Sequence, residues 1–364
     1  MEKNSIKNKA VSGIKWTSLN TIFNSLSYPL YQVLLALILI PQEFAYIAII
    51  SLFVGLSILI NNMGISEAVI QRDVVTSKQL STLFYFNLFI SFTLAVVIYI
   101  LAPFAELFYE LDHLKNIIQL ITLTIILNGS SSIFRVCLQK HLFFKEYTLI
   151  LISKIFLDML ITIILILAGH GIFGYVYGTI LSTLIYAILL AVYAHKRTNF
   201  KLHLHFNIKE MIPFLSFGVS ISLKKILTEV SHRMDEIIIG GALSAEILGM
   251  YFFGKNLILH LRVLLTNAFS QVLLPIFSKM KNDRSKMNSV YNKVSYFVAI
   301  IAFPVFVGVS LTAHLFIPIF FGDQWSGSAN VIKVLSIVMI ALVLTANLAT
   351  SLLYSLNRPG RVLL

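Results

Sequence analysis

Ten long apolar segments run along this chain of 364 residues, at 16–40, 44–60, 80–102, 116–134, 147–168, 172–194, 211–230 with an extension to 239, 247–274, 289–311 and 329–354. About 20 residues rising about 1.5 Å each cross a hydrocarbon layer of roughly 30 Å, so the segments are predicted to be membrane-spanning helices. Strands of a membrane barrel would alternate apolar and polar residues, whereas these runs are continuously apolar. With 58% apolar and 12% charged residues, the chain lies far from the roughly 45–50% and about 25% of soluble domains. The first segment follows Lys3, Lys7, Lys9 and Lys15, but it is too long for a signal-peptide core and has no small-residue cleavage site. It reads as a retained helix.

The charges set an expected orientation. Threading the chain with a cytoplasmic amino terminus puts 20 of its 28 basic residues on the inner side, among them Arg72, Lys78, Arg135, Lys140, Lys145, Lys196, Arg197, Lys201, Lys209 and Arg358. The opposite connections hold Lys115 with Glu43, Glu106, Glu110, Asp112, Glu246 and Asp323. The positive-inside rule then places both ends of the chain in the cytoplasm, with the lipid bilayer as its surroundings. The net charge of +12 is accordingly read as topogenic and facing anionic headgroups, with no nucleic acid partner.

Several motifs lack the context their chemistry needs. Gly169 to Gly174 matches a dinucleotide-binding GxGxxG, but it joins two apolar segments and is expected to be a tight turn. Gly249 to Gly254-Lys255 has phosphate-loop spacing, yet Asn256 stands where a Ser or Thr would bind magnesium. The sequon at Asn128 falls at membrane depth or on the inner side. His203 and His205 have no further ligands at metal spacing, so no metal site is assigned. The lone Cys137 is expected to be a small apolar residue at a helix end. No nucleophile triad or catalytic carboxylate pair is evident, so no enzymatic activity and no catalytic residues are assigned.

The informative residues are charges within the apolar segments, where a Lys or Arg costs about 2.5–3.5 kcal/mol and normally faces a bundle interior or a water path. They are Lys154 and Asp158 in the fifth segment, Lys224, Lys225, Glu229, Arg233 and Asp235 in the seventh, Lys255, His260 and Arg262 in the eighth, and Lys333 in the tenth. Lys154 with Asp158, Lys225 with Glu229, and Glu229 with Arg233 are four apart and can neutralise each other along one helix face. Arg233 and Arg262 also have the alternative of snorkelling to water. The balance is cationic, which favours an anionic substrate bound through Lys154, Lys224, Lys225, Arg233, Lys255, Arg262 and Lys333. Asp158, Glu229 and Asp235 are the acids available to couple H+ or Na+, with structural pairing as the alternative. No other cofactor is expected.

A weak internal repeat relates Gly64 to Ile70 with Ala268 to Leu274 at an offset of 204. Parallel repeats of this kind imply two like-oriented helical bundles. The expected division is an amino-terminal lobe at 1–196, a cytoplasmic loop at 197–210 and a carboxyl-terminal lobe at 211–364, six helices followed by at least four. The repeat argument expects two or more further helices missing after Arg361.

The stretches Leu39-Ile40-Pro41-Gln42-Glu43-Phe44, Gly64-Ile65-Ser66 to Arg72, Ala102-Pro103 to Tyr109, Gly169-His170-Gly171, Gly240 to Tyr251, Leu274-Pro275 and Phe321-Gly322-Asp323-Gln324-Trp325 resemble the Wzx-type polysaccharide flippases of the multidrug/oligosaccharidyl-lipid/polysaccharide (MOP) superfamily. Ala45 departs from the usual Gly. The resemblance implies an all-α integral membrane fold, with two bundles around a central cationic cavity in the bacterial inner membrane. It further implies movement of an undecaprenyl-pyrophosphate-linked oligosaccharide between leaflets, with a polysaccharide polymerase and a chain-length regulator as partners. Alternatives within the superfamily are a lipid II flippase and a multidrug or cation antiporter, the latter expecting a cavity of the opposite sign. A membrane-embedded polymerase or ligase would need larger outer loops, and a non-transporting scaffold for polysaccharide assembly stays open.

Overall fold

A computed structural model describes the backbone of residues 2–198, 200–279 and 284–343, and the side chains within them except at 2–11, 216–221, 267–279 and 284. The described residues form helices with no strand among them: α1 (Glu2–Ile38), α2 (Pro41–Asn62), α3 (Ile65–Gln71), α4 (Ser77–Tyr109), α5 (Leu114–Lys140), α6 (Phe144–Leu165), α7 (Gly171–Thr198), α8 (Ile208–Ala242), α9 (Ala245–Lys279), α10 (Arg284–Phe321) and α11 (Ser326–Leu342). Each of the ten expected segments falls on one of these helices, and α3 is the additional element. The part of the tenth segment beyond 343, with Arg358 and Arg361, lies outside the described residues, as do the side chains of the repeat at 268–274.

Local chemistry explains the breaks. Met63 and Gly64 take left-handed φ values of 37° and 66°, which ends α2 and starts α3 in a new direction. The corresponding position in the repeat is Ala268, and there the α9 backbone continues unbroken. The Lys140 ammonium donates to the carbonyls of Val69 (2.9 Å) and Arg72 at the end of α3, where a cation also complements the helix dipole. Thr76 and Gln79 form a reciprocal capping box that opens α4. Between α6 and α7, a π-turn at Ile166–His170 bends through Gly169 (φ 91°) and Gly171 (φ 49°), so the GxGxxG match is a turn between helices.

Eight stretches among the described residues are long and apolar enough to cross a membrane. One of them, Phe144–Thr198, contains both α6 and α7, which pack on each other, and another joins α2 to α3.

The described backbone divides into two compact units, one drawn from 1–24 and 42–249 and the other from 25–41 and the residues from 250 to 343. In the first, α5 packs on α4 and α7, α6 on α7, and α8 on α3 and α4. Association in a bilayer depends on close van der Waals approach, for which small residues are needed. Gly178 supplies one such approach: a Cβ there would lie 2.1 Å from Thr162 Oγ1. Buried Ile65, Leu83, Ile133, Val136, Leu190 and Phe214 bring α3, α4, α5, α7 and α8 into one core. In the second unit, α10 packs on α11. Fully buried Trp325 stands 4.6 Å from the Phe253 ring, and Ser328 Oγ donates to Met250 O at 2.8 Å, tying α11 to α9.

Candidate functional site: charges within the spanning helices

Helix α8 carries the densest group of charges, and the fold divides them. At its first turn Asn207 accepts from the Lys209 amide at 3.0 Å, and Arg72 reaches from the end of α3 to the Pro213 carbonyl (3.2 Å) and over the Phe214 ring (4.1 Å). This fixes the rotation of α8 against α3. Further along, Lys225 Nζ lies 2.6 Å from Glu67 Oε1 of α3. Lys225 therefore pairs across helices, with an acid 158 residues away, instead of with Glu229 on its own face. Glu67 is held in turn by Asn62 Nδ2 at 3.4 Å.

Two turns beyond, Arg233 is a hub. Its Nε donates to Glu229 Oε1 at 2.6 Å, the expected pair, and its Nη1 donates to Ser51 Oγ of α2 at 2.8 Å and to Glu236 Oε2 at 3.3 Å. Ser51 completes the chain by donating to the Ala48 carbonyl at 2.8 Å. A Cβ at Gly55 would stand 3.5 Å from Glu229 Oε1, so the bare glycine backbone brings α2 close to the pair. Glu236 is buried and, with Ala48, Leu52, Tyr109 and Leu248, lines a small crevice. Asp235 is half-buried and accepts from the Glu236 amide at 2.9 Å. Two carboxylates thus engage one guanidinium, and Arg233 lies in a locally acidic network.

Lys224 is different. It is exposed and makes no ion pair among the described residues, although its carbonyl accepts from Thr228 at 2.9 Å. In α6, Lys154 lies 5.5 Å from the Tyr186 ring centroid of α7, and half-buried Asp158 accepts from Ser182 Oγ at 3.1 Å. Lys154 and Asp158 are close enough to feel each other's charge, yet they form no ion-pair contact.

The second unit holds the remaining bases. Lys255 of α9 is buried, its ammonium 5.7 Å from the Tyr251 ring centroid. His260 stacks on Tyr28 with centroids 6.4 Å apart. Half-buried Arg262 has its Nε buried without a hydrogen-bond acceptor among the described residues. Lys333 of α11 is exposed, and its carbonyl accepts from Ser310 Oγ of α10 at 3.0 Å. Sequence reasoning missed Glu67 and Ser51, and it gave Glu236 no role. Glu67 carried one usable signal, an acid within the repeated Gly64 to Ile70 stretch.

These features define a multi-pass helical membrane protein with charges organised inside its spans. Solved structures of that class share the fold: the lipid II flippase MurJ superposes with a TM-score of 0.74 over 94% of this chain and 76% of that one, at 15% identity. A multidrug resistance MATE family transporter of the MOP superfamily superposes at 0.71 over 94% of this chain and 82% of that one, at 14% identity. The chain belongs to the polysaccharide biosynthesis protein family, whose model matches residues 34–330. It is 23% identical over 338 residues to the lipopolysaccharide biosynthesis protein WzxC of Escherichia coli, spanning 92% of this chain and 68% of that protein. It is 27% identical over 341 residues to the teichuronic acid biosynthesis protein TuaB of Bacillus subtilis, spanning 93% and 70%.

Proposed function

We propose that this protein moves an undecaprenyl-pyrophosphate-linked oligosaccharide from the cytoplasmic to the outer leaflet of the bacterial inner membrane. No bond is made or broken in this reading. The observation that carries it is Arg262, whose buried Nε–H has no acceptor among the described residues, in a helix long and apolar enough to cross the membrane. A buried donor left unmade costs about 1–3 kcal/mol, and a pyrophosphate oxygen would recover that through a charge-assisted bond. Membership in a polysaccharide biosynthesis family agrees with such a substrate. Lys224, exposed on α8, is the second base, while Lys225 and Arg233 are engaged by carboxylates and serve to hold α8.

In this reading the chain works as two halves, 1–196 and 211–364, in an alternating-access cycle that presents the bases to one leaflet and then the other. Both ends face the cytoplasm. Alternation needs a difference in binding between states, and Asp158, Glu229 and Asp235 are the carboxylates available to take H+ or Na+. A polysaccharide polymerase and a chain-length regulator would receive the product.

The test is surface polysaccharide production in a bacterium deleted for its own flippase and matched for the repeat unit. The chain is expected to restore production, and Arg262→Ala and Lys224→Ala to reduce it at least tenfold, while membrane levels hold; tenfold corresponds to about 1.4 kcal/mol. Restoration indifferent to both bases would remove the site assignment. Absence of restoration by the inserted wild-type chain would remove the substrate.

A further inference from the structure

The connection from α7 to α8 is built unlike an ordinary solvated loop. Phe200 is buried and packs 5.9 Å from the Phe134 ring, which anchors the start of the connection in the core of the first unit. The backbone is then fastened to α4: His203 N donates to Ser81 Oγ at 3.0 Å, Thr82 Oγ1 donates to His205 O at 3.5 Å, and Asn207 N donates to Thr82 Oγ1 at 3.3 Å. A tight turn, His205 N to His203 O at 2.8 Å, puts Leu204 at its tip.

With the backbone so held, apolar side chains point away from the protein. Leu202 is 44% exposed, Leu204 98%, Phe206 53% and Ile208 58%. Exposed Lys201 and Lys209 flank them along the chain, and exposed Lys196 lies in the last turn of α7, where Arg197 pairs with Glu146 at 3.1 Å. The position along α4 gives this surface a depth. At about 1.5 Å per residue the helix is about 50 Å long and exceeds a hydrocarbon layer of roughly 30 Å by about 10 Å at each end, if centred. Ser81 and Thr82 stand about 6–8 Å from its start, at the boundary between headgroups and acyl chains.

We infer that residues 202–208 form an interfacial membrane anchor, in which Leu204, Phe206 and their apolar neighbours enter the acyl boundary while Lys196, Lys201 and Lys209 engage anionic lipid headgroups. Alternating apolar residues with a basic rim suit an interface, where apolar groups settle about 5–10 Å into the boundary and each base near an anionic surface adds attraction. The anchor does not depend on what the protein transports. Held to α4 on one side and to lipid on the other, it sets the height at which α8, with Lys224 and Lys225, enters the membrane.

The test uses spin labels. Cys137 is buried, so single cysteines introduced as Leu204→Cys, Phe206→Cys and Lys201→Cys are the labelling sites. The intact chain is reconstituted in vesicles of phosphatidylethanolamine and phosphatidylglycerol, and collisions with oxygen and with a water-soluble nickel chelate are compared. Labels at 204 and 206 are expected to favour oxygen about tenfold more than the label at 201. Replacing phosphatidylglycerol by phosphatidylcholine is expected to lower that preference. Equal chelate access at 204 and 201 would overturn the anchor by placing Leu204 in water. An immobilised label at 204 shielded from both reagents would overturn it in favour of a protein partner. A preference unchanged without anionic lipid would remove the role of the bases.

Discussion

Arg233, one of the cations expected to bind an anionic substrate, is already engaged within the fold. Its guanidinium is shared between Glu229, Ser51 and Glu236, and a ligand would have to displace contacts already made. Arg233→Ala should destabilise the protein by about 1.5–3 kcal/mol, because two carboxylates lose a charged donor. Thermal unfolding in detergent measures this, and Glu236→Gln in the same background should recover part of the loss. An unchanged melting temperature would show that the hub carries no stability. Lys225 and Glu67 differ in degree: both are more than a third exposed, and solvent screening leaves such a pair a small stabilising effect. Arg233 and Lys225 were expected to bind substrate from their positions in a spanning segment. The sequence offered Glu229 as a partner for Arg233 but could not reveal Ser51 and Glu67, which lie 182 and 158 residues away.

At the scale of elements, the long helices were legible because a bilayer imposes a minimum apolar length, which periodicity and composition report directly. The seven-residue α3 was not, because it is too short to leave such a signature and depends on a left-handed turn at Met63 and Gly64. The α6 to α7 turn was legible from its glycines. How tightly the two helices then pack was not, because that rests on which glycine faces which side chain. Gly178→Ala would put a methyl 2.1 Å from Thr162 Oγ1 and 2.9 Å from Thr162 Cα, so the helices must separate. A loss of about 1–3 kcal/mol is expected from overpacking, read as a lower melting temperature. Stability equal to wild type would mean that α6 and α7 do not approach so closely.

For the whole molecule, the charge distribution predicts which connections share a side of the membrane. Val74, 81% exposed between α3 and α4, and Glu110, exposed between α4 and α5, lie at opposite ends of α4. With Cys137 buried, Val74→Cys should be labelled by a membrane-impermeant maleimide only after the cytoplasmic face is opened, and Glu110→Cys in intact spheroplasts. The reverse pattern would invert the orientation, and equal labelling of both in intact cells would contradict the spanning of α4. The same pair of sites reports whether the basic loops govern insertion, since moving Lys140 and Lys145 to acidic residues should weaken the bias.

What the sequence determined by itself was class, number and placement of the long helices, the turns between them and the expected side of each loop. These follow from free energies of transfer into hydrocarbon and from backbone conformation, which are properties of local segments. Only the tertiary structure decided that Lys225 is neutralised by Glu67, that Arg233 sits between two carboxylates and Ser51, that Arg262 keeps a buried donor without an acceptor among the described residues, and that Leu204 stands clear of the core. Electrostatic partnership and exposure depend on distances between residues remote in the chain, and packing alone sets those distances.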